Sequence, residues 1–108
     1  MRPLALLVTL LLTLVAVPAC TGSGDGPARL AGEVVPAACG ECRLGLDGDD
    51  CTLAVRVDGR VLRVVGTGID DHGDAHAADG LCNAVRRARV TGTVDGDRFV
   101  AEAFELLP

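Results

Sequence analysis

The stretch "TLAVRVDGRVLRVV", residues 52–65, decides the fold class. Leu53, Val55 and Val57 alternate with Thr52, Ala54 and Arg56, and a two-residue period gives a strand one apolar face. Asp58-Gly59 follows, the pair that most readily takes the positive φ values a two-residue hairpin turn demands. Residues 60–65 then carry the chain back as a second strand. A lone hairpin is barely stable in water, so its sheet partners must lie elsewhere in the chain.

Upstream, Leu30 to Val35 reads as a strand that stops at Pro36, because proline brings no N–H to a ladder. Downstream, residues 90–94 and 98–106 form a second hairpin around Asp95-Gly96-Asp97. Gly92 within it predicts a bulge or a tight bend. Between the hairpins, Leu81, Val85 and Ala88 fall at i, i+4 and i+7, which predicts a short helix over residues 79–87. Asp74 or Asp79 would cap it, and Arg86, Arg87 and Arg89 would suit its negative end. Gly80 weakens the earlier start by about 1 kcal/mol relative to alanine.

The resulting fold is mostly β with one short helix, in the order β-β-β-α-β-β. That is the order of a small five-stranded barrel of the oligonucleotide/oligosaccharide-binding (OB) type. An open antiparallel sheet with one helix packed on it is the alternative. The start around Gly32-Glu33-Val34-Val35 and the ending from Val90 to Glu102 also resemble small secreted OB domains.

The N-terminus gives an address. Met1-Arg2-Pro3 precedes a run over residues 4–17 that is apolar except for Thr9 and Thr13. A membrane-spanning helix needs about 20 apolar residues, so the run has the proportions of a secretory signal instead. Val17-Pro18-Ala19-Cys20 resembles a bacterial lipobox, which implies cleavage before Cys20 and a lipid on its sulfur. An ordinary signal peptide cut after Ala19 is the alternative. The domains then read as a signal peptide over 1–19, a lipid anchor and flexible tether over 20–28, and one small β-rich domain over 29–108. The tether is rich in glycine and serine. The expected location is the cell envelope, on the extracytoplasmic side of a bacterial membrane, with the membrane itself as partner through Cys20.

A domain of about 80 residues gains only thin stability from its core, and staples are common at that size. Cys39, Cys42, Cys51 and Cys82 remain once Cys20 is set aside. An even number of cysteines in a small exported domain points to disulfides, with three connectivities open. Cys82 is distant from the other three in sequence, so at least one bridge should tie the predicted helix region to the first connection. The same residues also have metal chemistry. CxxC presents two thiolates at a spacing that suits zinc, and imidazole suits zinc or copper. His72 and His76, with Asp71 or Asp74 beside them, are the candidate metal ligands of the "DHGDAH" stretch. Solvated loop histidines beside turn-forming aspartates are the plainer reading there. An EF-hand is excluded, since from Asp70 the sixth position is Ala75 and the twelfth is Leu81. A thiol oxidoreductase acting through Cys39 and Cys42 would need a helix start that the following Arg43-Leu44-Gly45-Leu46 run does not suggest.

Charge and composition remove other classes. The chain has ten basic residues against fifteen acidic ones, a net charge of −5, and two aromatics. Phosphate binding needs a basic footprint and single strands need aromatic platforms, so nucleic acid is not the partner. No serine-nucleophile motif and no phosphate-binding glycine loop occurs, and the expectation is a binding module rather than an enzyme.

"CGEC", a further cysteine, and "IDDHGDAHAADGLCNAVRRARVTGTVDGDRFVAEAF" together resemble a family of small exported bacterial proteins of unknown function. The resemblance implies an autonomous exported domain in which the DHGDAH loop and the four cysteines belong to one design. The leading expectation is a lipid-anchored, disulfide-stapled interaction module that needs no cofactor, with a small molecule, a metal or a protein as its partner. A zinc- or copper-binding protein built on His72 and His76, with thiolates if the cysteines are reduced, is the second.

Overall fold

The computed structural model describes residues 27–108. The expected signal peptide, the lipobox-like stretch with Cys20 and most of the expected tether lie outside the described residues. Five strands form a closed barrel: β1 (Ala28–Cys39), β2 (Leu53–Val57), β3 (Arg60–Val65), β4 (Arg86–Asp95) and β5 (Arg98–Leu106). Around the barrel the order is β1-β2-β3-β5-β4, with β4 returning to β1. All pairings are antiparallel except β3 with β5, which is parallel and closes the barrel. This is the OB-like arrangement expected from the order of elements. Among the described residues, no helix is long and apolar enough to cross a membrane.

The hairpin of residues 52–65 forms as read. Val57 pairs with Arg60, and Asp58 and Gly59 have φ of 50° and 78°. Two successive positive φ values make a type I′ turn, whose twist matches that of the strands it joins. The second hairpin turns at Gly96 and Asp97, with Asp95 paired to Arg98. Gly92 marks an irregularity in β4, where the register against β5 shifts between Thr91 and Gly92. A Cβ on Gly92 would run into the Val100 carbonyl and lie 2.9 Å from the tip of the Phe99 ring. The barrel bends there because glycine lets β5 approach.

β1 runs through the proline expected to stop it. Pro36 pairs with Arg87 of β4, whereas pairing to β2 begins only at Ala37. On the β2 side no strand faces Pro36, so its missing N–H deprives no neighbour of a bond. The extension carries β1 to Cys39.

The helix expected over 79–87 is replaced by a chain of turns, and β4 begins at Arg86. The competing bonds are specific. The Cys82 amide donates to the Ala75 carbonyl (2.9 Å), and the Asn83 side-chain amide donates to the carbonyls of His76 and Ala77 (2.9 and 2.8 Å). Of the supposed helical face, Leu81 and Ala88 are buried but Val85 is half exposed. A one-turn α-helix, α1 (Gly40–Arg43), lies instead within the CGEC motif, and a 3-10 turn spans Ile69–His72. The core is filled by Phe99, Leu53, Leu62, Leu81, Val55 and Val90, each at most 2% exposed.

Candidate metal centre

At one end of the barrel, β1 delivers Cys39 directly into α1. Cys39 is the N-cap, and its sulfur accepts the Cys42 amide at 3.4 Å. The next two approaches are main-chain bonds. The Cys39 amide donates to the Leu81 carbonyl and the Gly40 amide to the Thr52 carbonyl, both at 2.8 Å. The first bond brings in the residue before Cys82, and the second brings in the residue after Cys51. Gly40 is required by space, since a Cβ there would lie 3.1 Å from the Ala54 methyl and closer still to the Leu46 side chain.

Side chains complete the enclosure. Glu41 accepts the Thr52 amide at 2.9 Å, stands 3.8 Å from the Cys39 thiol and 3.9 Å from the Arg63 guanidinium. The Arg43 guanidinium donates to the Cys82 carbonyl at 3.1 Å. The outcome is that the sulfurs of Cys39, Cys42, Cys51 and Cys82 all lie within 4.8 Å of one another. Cys39 is buried, Cys82 half-buried, and Cys42 and Cys51 exposed. All four are free thiols, and the Cys51 and Cys82 sulfurs are 2.9 Å apart, in hydrogen-bond contact.

The thiols do not ionise alike. Burial pushes Cys39 up, yet hydrogen bonds from the Cys51 and Cys42 thiols and from the Cys42 amide outweigh it and lower its pKa. Burial, together with bonds to Cys82 and Cys39, pushes the Cys51 thiol far up. Cys42 is raised by its bond to Cys39. For Glu41, burial raises the pKa but the bond from the Thr52 amide and the nearby Arg63 charge more than reverse this. The Cys39 sulfur is thus the one eased toward negative charge, while the Cys42 and Cys51 thiols are held toward the protonated form.

Such a cluster suits a thiophilic cation. Zinc–sulfur bonds of about 2.3 Å in a tetrahedron place the sulfurs about 3.8 Å apart. The sulfurs here, all within 4.8 Å of one another and as near as 2.9 Å, bracket that spacing. Two come from CxxC and one from each of two distant segments, a usual way to close a structural site.

The histidine stretch is built differently. His72 shares a hydrogen bond with the Thr67 hydroxyl (2.8 Å) through Nε2, and its ring lies 4.6 Å from that of Phe104. Asp71 accepts the Gly68 amide at 2.7 Å and the Thr67 hydroxyl at 3.3 Å. Asp74 accepts the His76 amide at 2.9 Å, while His76 itself is exposed. These residues shape the connection between β3 and β4. Among the described residues, the cluster of three or more candidate ligands is the four cysteines and includes neither histidine. The sequence offered the right cysteines, but only the barrel shows that Cys51 and Cys82 meet the CxxC pair. It also shows a helical turn at CxxC where the sequence suggested a loop. Glu41 escaped notice altogether, and its position between two cysteines was the one available signal.

A small closed β-barrel with four cysteine thiols clustered at one end is the class defined by fold and site. The chain belongs to the Family of unknown function (DUF6370), which matches residues 33–107 and so takes in all four cysteines. No curated protein and no solved structure matches it.

Proposed function

We propose that this protein is an envelope-anchored metal-binding module, and that Cys39, Cys42, Cys51 and Cys82 hold one soft metal ion, zinc before copper. The observation that carries the reading is the mutual approach of four sulfurs drawn from three separate segments. Four thiolates favour soft ions over calcium or magnesium, and a tetrahedral set of four favours zinc. The exposed Cys42 and Cys51 form the side from which an ion enters. Anchoring rests on Val17-Pro18-Ala19-Cys20, and Cys20→Ser should move the protein from the membrane to the soluble fraction. Unchanged fractionation would remove the anchor from the proposal.

The test of metal binding is zinc titration of the reduced full-length Cys20→Ser protein against a chromophoric chelator. One zinc per chain, lost on replacing any of the four cysteines by serine, supports the reading. A second reading, paired disulfides in an oxidising compartment, is favoured by the contact between Cys51 and Cys82. It calls for no metal uptake and a native mass lowered by two or four hydrogens.

A further inference from the structure

We infer that Glu41 is the positioning residue of the cysteine site, the side chain that holds Cys51 against the other three. This rests on the metal reading above. The four sulfurs are not equally secured. Cys39 ends a barrel strand, Cys42 follows it in α1, and Cys82 follows the buried Leu81, whose carbonyl is bonded to Cys39. Cys51 instead ends an exposed connection, residues 47–51, that includes Asp47, Gly48, Asp49 and Asp50. That connection is acidic and lacks a buried apolar side chain to fasten it.

What fastens it is the grip on Thr52, the next residue. The Thr52 carbonyl accepts from Gly40, and its amide donates to Oε2 of Glu41. Both partners are the residues between Cys39 and Cys42, so one helical turn supplies two ligands and clasps the third. The same Oε2 stands 3.8 Å from the Cys39 sulfur, and the Glu41 side chain is only 5% exposed. Burying a carboxylate is costly unless its bonds compensate. Here the compensating bonds are the Thr52 amide and the Arg63 guanidinium. A partner bonded beyond the ligands orients them, and losing such a partner commonly weakens metal binding by about 10–100-fold.

The experiment compares Glu41→Ala, Glu41→Gln and Arg63→Ala in the full-length Cys20→Ser protein. Zinc affinity is read by chelator competition, the ligand field by cobalt substitution, and Cys51 accessibility by alkylation rate in excess chelator. Glu41→Ala should weaken zinc by about 10–100-fold, alter the cobalt spectrum and speed alkylation of Cys51. Glu41→Gln keeps an oxygen for the Thr52 amide and should restore most of the affinity, and Arg63→Ala should have the smallest effect. Wild-type affinity and alkylation in Glu41→Ala would overturn the inference. So would Glu41→Gln losing zinc as far as Glu41→Ala, and this holds even if Glu41→Ala fails to fold. If the wild type takes no zinc, the metal reading fails by itself. Glu41 is then judged on Cys51 alkylation alone, which must still rise in Glu41→Ala and recover in Glu41→Gln.

Discussion

The Cys39 amide donates to the Leu81 carbonyl at 2.8 Å, joining residues 42 positions apart at the end of the barrel. Leu81 is 1% exposed and packed in the core, so the bond has a fixed base. Cys82, the next residue, is held by main-chain bonds on both sides, Leu81 to Cys39 and its own amide to the Ala75 carbonyl. Main-chain bonds at the end of the barrel bring these segments together.

Cys82→Ser separates those two roles. In excess chelator under reducing conditions, its unfolding midpoint should match that of the parent to within about 1 kcal/mol, because the backbone contacts persist. Adding zinc at a thousandfold excess over its dissociation constant should stabilise the parent by about 4 kcal/mol and leave the mutant unchanged. Urea unfolding with and without zinc reads both. Equal stabilisation of the two proteins would remove Cys82 from the site.

His72→Ala should lower stability by about 1–2 kcal/mol, since it removes the bond to Thr67 and the ring contact with Phe104. His76→Ala should be close to neutral. The double variant should bind the same amount of zinc as the parent. Loss of zinc in the double variant would return the metal to the DHGDAH loop.

Gly92→Ala should cost about 1–3 kcal/mol, because its Cβ meets the Val100 backbone and the Phe99 ring, neither of which can move freely. Thermal unfolding of the apo protein measures it. A neutral Gly92→Ala would mean that β5 does not approach β4 as closely as described.

Phe99→Ala should cost about 3–5 kcal/mol, the range for emptying a fully buried aromatic site. With only one other phenylalanine in the chain, nothing nearby can refill that volume, and a large part of the population should unfold at 37 °C. A loss below 1 kcal/mol would contradict the packing of β5 onto the core.

Zinc uptake should release protons and tighten with pH. Cys51 and Cys42 hold their protons above the ordinary cysteine range, and each must lose one to bind. Affinity therefore rises as pH increases through neutrality and falls toward acid. A pH-independent affinity between pH 6 and pH 8 would exclude thiolate ligands, as judged by competition titrations across that range.

What could be read from the sequence was local. Asp58-Gly59 specifies its turn through backbone preferences that need no other part of the chain, and the alternation around it specifies the strand faces. Gly92 likewise signals a bend, though not what it bends against. The stretch over residues 79–87 failed because its apolar spacing fits a helix, while Asn83 and the Ala75 carbonyl offer its backbone other bonds. Pro36 failed because its cost depends on which edge is paired, and pairing is a property of the closed barrel. The cysteines were visible, but their meeting depends on contacts between segments about 10 to 40 residues apart, which no local pattern encodes. Glu41 was hidden for the same reason, since its partner Thr52 lies across a loop.

The most direct measurement is native mass spectrometry of the full-length Cys20→Ser protein, purified without reductant and then reduced and given zinc. The account expects one zinc per chain, and four thiols that resist alkylation until a chelator strips the metal. A protein that takes no zinc after reduction, with all four thiols alkylated equally whether or not zinc is present, would contradict it.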